Sequence, residues 1–165
     1  MMTDQKIAVF PGSFDPFTKA HEDLVLRGLE IFDQIIIGIG VNSNKKGMFS
    51  VDERLAVIKP VFSTLPAGKV DIQFFEGLTI DFCSRVKAQF ILRGMRNLQD
   101  FESERAIAQH NSDMSPDIET VFLISSGHLS HISSTIIREI LINNGNAASF
   151  IPEAAWQAIQ KLKGA

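Results

Sequence analysis

Short, almost wholly apolar runs alternate with longer amphipathic stretches along the entire chain, and this alternation limits the folds open to it. The runs Ile7 to Phe10, Gln34 to Val41, Val70 to Phe75, Phe90 to Leu92 and Thr120 to Ile124 are rich in β-branched residues. They read as strands covered on both faces, as in a parallel sheet. Apolar spacing predicts helices between them, over Ala20 to Phe32, Val51 to Ser63, Thr79 to Ala88, Leu98 to Asn111, Ser134 to Asn143 and Pro152 to Leu162. Local signals agree. Ser50 and Glu53 form a capping-box pattern, Pro152 suits a first helical turn, and Asn144-Gly145 suits a helix stop. Pro60 is the exception, because proline inside a helix removes a donor and crowds the preceding turn. Strict β-α alternation implies right-handed crossovers and a Rossmann-like, doubly wound α/β architecture of five parallel strands with flanking helices. Such sheets bind ligands beyond the carboxyl ends of their strands.

Size and composition exclude several classes of function. With 165 residues and 45% hydrophobic content, the chain reads as a single domain over residues 1–165. A net charge of -3, with 16 basic residues scattered along the sequence, leaves no footprint for a nucleic-acid backbone. The lone cysteine, Cys83, cannot form an internal disulfide, and the first residues lack the pattern of a secretory signal, so a cytoplasmic location is expected. The longest apolar run, Ile35 to Val41, is far shorter than the ~20 residues of a membrane span.

Polar and glycine-rich chemistry gathers at the strand exits. After the first strand, Gly12 permits a tight turn and Ser13 offers a hydroxyl. His21 falls in the opening turn of the next helix, where free N–H groups and the helix dipole favour an anion and an imidazole can donate to a phosphate oxygen. Thr18 or Asp15 as a simple cap is the plainer alternative. After the second strand stand Lys45 and Lys46, flexible point charges. After the fourth, Arg93 and Arg96 flank Gly94, so both guanidinium forks can reach an anion; a surface turn salt-bridged through Asp100 or Glu102 is the competing reading. The run Ser125 to Thr135 brings hydroxyls to a helix start, which serves capping, a second anion cradle, or both.

The stretch Gly12-Ser-Phe-Asp-Pro-Phe-Thr-Lys-Ala-His21 resembles the signature of the nucleotidylyltransferase superfamily, with Thr18, Lys19, Ala20 and His21 filling its T/H-x-G-H tetrad. Alanine stands at position 20 where the family usually has glycine. The S-x-K-K-x-x-F run from Ser43 and the R-G-x-R-x-x-x-D-F-E-x-E run from Arg93 are similar to phosphopantetheine adenylyltransferases in particular, and the I-S-S-T-x-x-R run from Ile132 resembles a motif of the same superfamily. That resemblance implies transfer of the adenylyl group of ATP to 4'-phosphopantetheine. It makes His21, Lys45, Ser13 and Arg96 catalytic, and assigns Ser13, Phe14, His21, Arg96, Glu104, Ser133, Ser134 and Thr135 to ATP. Ser13, Lys45, Thr79, Arg93 and Asn111 go to phosphopantetheine. Ser103 and Leu129 depart from usual aromatics and Thr79 from a frequent methionine. The resemblance further implies a homo-hexamer and coenzyme A as a feedback ligand.

The implied mechanism is direct in-line attack of an already ionised phosphate, with catalysis by positioning and by donors aimed at developing charge. Mg2+ is expected with ATP, because that ion needs few dedicated protein ligands. His128 and His131 lack the companions of a zinc site. The P-loop spacing is absent, and Gly38-Ile39-Gly40 is followed by Ser43 where a dinucleotide fingerprint needs glycine. A sister enzyme with another acceptor or CTP, a nucleotide-sensing domain without turnover, and a flavodoxin-like module are the other readings.

Overall fold

The computed structural model describes residues 5–41 and 46–164. Strands β1 (Ile7–Gly12), β2 (Gln34–Gly40), β3 (Val70–Phe75), β4 (Phe90–Met95) and β5 (Glu119–Ile124) form one sheet in the order β3-β2-β1-β4-β5. Every pairing is parallel. The chain builds outward from β1 to β3, then returns to add β4 and β5 on the other side. The direction therefore switches between β1 and β4, which is where a doubly wound sheet opens its ligand crevice.

Helices α1 (Lys19–Gly28), α2 (Val51–Ile58), α3 (Thr79–Arg85), α4 (Leu98–Met114), α5 (Ser134–Ile142) and α6 (Glu153–Lys163) accompany the strands. Strand residues alternate between two apolar layers, as the two-residue period requires. One layer joins Phe10, Ile35, Ile37 and Leu92 to Leu24 and Val25 of α1. The opposite layer joins Val9, Ile36 and Ile91 to Phe82 and Cys83 of α3. A third cluster packs Ile137 and Leu141 of α5 and Ile159 of α6 against Val57 of α2.

Three sequence expectations need correction. Only β1 and β2 are buried throughout their middle, and β4 is buried at Ile91 and Leu92 alone. Edge strands β3 and β5 have one neighbour each and are half-buried or exposed everywhere except Phe75. Pro60 ends α2 at Ile58, and the chain continues as a 3-10 turn over Lys59–Phe62. Strand β4 runs on to Met95, with Arg93 in register opposite Phe122, so Arg93 belongs to the strand rather than to a loop beyond it. The capping signals hold. Ser50 and Glu53 exchange reciprocal bonds, and Asn144 takes a left-handed φ of 57° as Gly145 N–H closes on the Ile140 carbonyl. Pro152 itself is the N-cap of α6. Among the described residues no helix is long and apolar enough to cross a membrane.

Candidate active site

The loop after β1 is built around an aromatic packing constraint. Phe14 adopts a positive φ of 48°, and its ring lies under Gly12, where an added Cβ would come within 2.8 Å of it. Glycine is required there by this close approach. The ring is 3% exposed and meets the rings of Phe10, Phe17 and His21. Residue 14 can therefore offer a ligand backbone rather than an aromatic face.

Thr18 caps α1, and it does so together with His21. The Thr18 hydroxyl accepts the His21 N–H, and His21 Nδ1 accepts the Thr18 N–H at 3.0 Å. An Nδ1 that accepts a backbone proton leaves the ring proton on Nε2. Burial, reinforced by the positive fields of Arg96 and Arg93, lowers the imidazole from its ordinary 6.5 to about 4. At neutral pH the ring is thus uncharged and its Nε2–H is a donor. Capping and anion binding, set against each other in the sequence, use different atoms of one side chain. Ala20, the second residue of α1, sits on ordinary helical backbone and packs in the α5–α6 cluster. Its methyl also faces the cleft described next.

His21, Arg93 and Arg96 line one cleft of about 330 Å³. Ser13, Phe14 and Glu104 share it, as does the Ser133–Thr135 turn. At the start of α5 the Ser133 side chain makes no capping bond. Ser134 donates to the Pro16 carbonyl at 3.0 Å, and the Thr135 hydroxyl accepts from Arg138 at 3.1 Å. A second cavity of about 280 Å³ adjoins the cleft and contains Thr79, Arg93 and Asn111. Ser13 does not reach this second cavity; it lines the cleft and a third hollow beside Met48 and Arg54. Lys45 lies outside the described residues.

Both arginines are already engaged. Arg93 grips Glu104 through Nε at 2.7 Å and through Nη2, and its Nη1 donates to the Pro11 carbonyl at 2.7 Å. Arg96 pairs with Asp100 at 2.9 Å. The hydrogen bond from the Arg96 side chain, with smaller contributions from its backbone N–H and the fields of both arginines, holds the Asp100 carboxyl below the usual carboxylate range. Glu102, the other candidate partner in the sequence, pairs with Arg105.

Two residues of the site have roles that the sequence reading did not give them. Asp15 is buried and does not cap α1. Its oxygens accept Met48 N–H at 2.8 Å and Phe49 N–H at 2.9 Å, and Arg54 stands 3.7 Å away. The signal was an acid set among Phe14, Pro16 and Phe17. Arg138, present in the sequence only as the last letter of a motif, donates to the Asp15 carbonyl at 2.6 Å and lines the cleft. Asp100, named in the sequence with Glu102 as a salt-bridge partner, does pair with Arg96, four residues before it. His128 and His131 are exposed, and among the described residues no group of three or more His, Cys, Asp or Glu converges.

Residues 9–140 match the family described as Cytidylyltransferase-like. A phosphopantetheine adenylyltransferase of Flavobacterium johnsoniae is 50% identical over 147 residues, covering 89% of this chain and 95% of that protein. One from Syntrophotalea carbinolica is 40% identical over 156 residues, 94% of this chain and 93% of the relative. Among solved structures, a putative nicotinate-nucleotide adenylyltransferase from Vibrio parahaemolyticus superposes with a TM-score of 0.69 at 16% identity, covering 95% of this chain and 93% of that one. A bifunctional NMN adenylyltransferase/ADP ribose pyrophosphatase from Francisella tularensis gives 0.68 at 18% identity, and the chain spans 44% of its length. At these identities the solved structures speak for the fold alone.

Proposed function

The chain belongs to the phosphopantetheine adenylyltransferase family of cytidylyltransferase-like proteins, and we propose that it joins ATP to 4'-phosphopantetheine by direct attack within the paired cavities. A phosphate oxygen of phosphopantetheine forms a bond to the α-phosphorus of ATP while the bond to the β-phosphate oxygen breaks. Dephospho-coenzyme A and pyrophosphate result. No covalent intermediate on the protein is needed, because the nucleophile is already ionised.

The observation that carries this reading is the meeting of two phosphate-sized donor sets at one wall. In the cleft, the neutral His21 ring points a donor where charge develops on the α-phosphate, with the Ser13 hydroxyl beside it. Arg96 and the Ser133–Thr135 turn suit the departing β and γ phosphates, at a helix start whose dipole favours anions. The adjoining cavity offers Arg93 for the acceptor phosphate and Thr79 and Asn111 for the pantetheine arm. Lys45 is assigned to the transferring phosphoryl group by the same reading. Phe14 and Glu104 complete the nucleotide side.

Mg2+ fits as an ion carried in on ATP: the nearby carboxylates Asp100 and Glu104 are engaged by arginines, so the nucleotide's own phosphates and water would supply its ligands. Bound there, it would spread the charge of the departing pyrophosphate. A homo-hexamer in the cytoplasm, with coenzyme A acting back on the same cavities, completes the proposal. The large apolar side chains left exposed on α4, Leu98, Ile107 and Met114, favour self-association.

The deciding experiment supplies ATP, Mg2+ and 4'-phosphopantetheine and measures pyrophosphate, then runs the reaction backwards from dephospho-coenzyme A. Turnover in both directions is expected. Pyrophosphate release with nicotinamide mononucleotide but not with phosphopantetheine would overturn the acceptor, and ATP binding without release would favour a sensor.

A further inference from the structure

The two cavities share a wall made of Pro11, Gly12, Arg93 and Glu104. Within it, the two carboxylate oxygens of Glu104 occupy the same fork of Arg93 donors that suits a phosphate. The pair is partly sheltered, with side-chain exposures of 29% and 15%. By contrast, Arg96 and Asp100 line the nucleotide cleft only and are more open, at 39% and 23%.

Glu104 faces the nucleotide cleft as well as Arg93, and a carboxylate repels phosphate. It must therefore meet a part of the nucleotide that carries neutral donors, a ribose hydroxyl or the adenine amino group, whose protons a carboxylate accepts. We propose that Glu104 couples the two substrates: a bound nucleotide draws its carboxylate away from Arg93, and the freed guanidinium fork receives the phosphate of the acceptor. This link rests on the assignment of the two cavities to ATP and phosphopantetheine. Each ligand then tightens the other, and by linkage the effect is equal in both directions. Repulsion between the phosphates of the two ligands acts the opposite way, so with Glu104 neutralised the coupling vanishes or reverses.

The test uses α,β-methylene-ATP, in which the reacting bond cannot break, and 4'-phosphopantetheine. Each is titrated calorimetrically into the whole protein, alone and with the other at saturation. In the wild type each ligand should lower the Kd of the other about tenfold. In Glu104→Gln the acceptor alone should bind more tightly, the nucleotide analogue alone more weakly, and the coupling factor should fall to one or below. Arg93→Lys, which keeps the charge and loses the fork, should also lower the coupling. Asp100→Asn should shift affinity for the analogue and leave the coupling intact. Full coupling in either of the first two variants, no coupling or mutual weakening in the wild type, or equal weakening of both ligands in Glu104→Gln would each overturn the proposal. Failure of either ligand to bind the wild type would overturn the proposed function itself, and the link with it.

Discussion

The two ends of the cleft handle anions differently. At the α1 end the donor is uncharged: a neutral imidazole held on one side by the Thr18 backbone and surrounded by Phe10, Phe14 and Phe17. At the β4–α4 end the donors are full charges, each held by a carboxylate of α4. The first end is ready before a ligand arrives, because its partners are backbone and hydrocarbon. The second end must exchange an internal anion for an incoming one. Packing follows the same division, since α1 buries Leu24 and Val25 whereas α4 buries no residue over its 17 positions. Preorganised donors belong where the transition state is stabilised, and exchangeable ones where substrates enter and leave.

The largest effect is expected from His21→Ala. Removing one preorganised donor should lower turnover on the order of 10²-fold with the fold unchanged by circular dichroism. Near-normal turnover would place catalysis elsewhere. A smaller effect is expected at the other end. Asp100→Asn frees Arg96 from a partly exposed ion pair worth about 0–1 kcal/mol, so KM for ATP should fall by up to about fivefold with kcat little changed. A rise in KM would mean that Asp100 orients Arg96 rather than competing for it.

Thr18→Ala bears on stability. Loss of the N-cap oxygen should cost about 1 kcal/mol, a fall of roughly 2–4 °C in Tm for a chain of this size. An unchanged Tm would show that the His21 ring alone secures the helix start. A last effect is the pH dependence of stability. Since the folded pKa of His21 is about 4 against 6.5 for the free side chain, the unfolded chain binds the extra proton first as pH drops. The stability tied to this group is complete above pH 6.5 and is lost between 6.5 and 4. Melting curves should decline more steeply across that window for the wild type than for His21→Gln. An NMR titration that placed the His21 midpoint near 6.5 would contradict a desolvated, neutral ring.

Most of the sheet was legible because buried parallel strands must be apolar on both faces, and the runs at residues 7–10 and 34–41 announce themselves that way. The edge strands were read by the same rule although β3 carries Asp71 and Gln73; β3 and β5 are half-open in space, and composition does not say which strand has two neighbours. Arg93 was found as chemistry but misplaced as a loop residue, because a strand that ends beside a crevice can carry charge in its last turns of pleat. Asp15 was legible only as an alternative cap to Thr18, since its partners at Met48 and Phe49 lie 33 and 34 residues away.

The sequence by itself determined the alternation of strands and helices, the breaks at Pro60 and Asn144, and the motifs that carry donors for phosphate. Each of these depends on local periodicity, a single backbone constraint or a short run of side chains. Tertiary structure alone decided that Arg93 and Glu104 stand in one wall between two cavities, that His21 loses its charge and keeps its proton on Nε2, and that Asp15 ties one strand exit to the next. Those outcomes depend on distance and desolvation between residues far apart in the chain, and neither quantity is written in the order of residues.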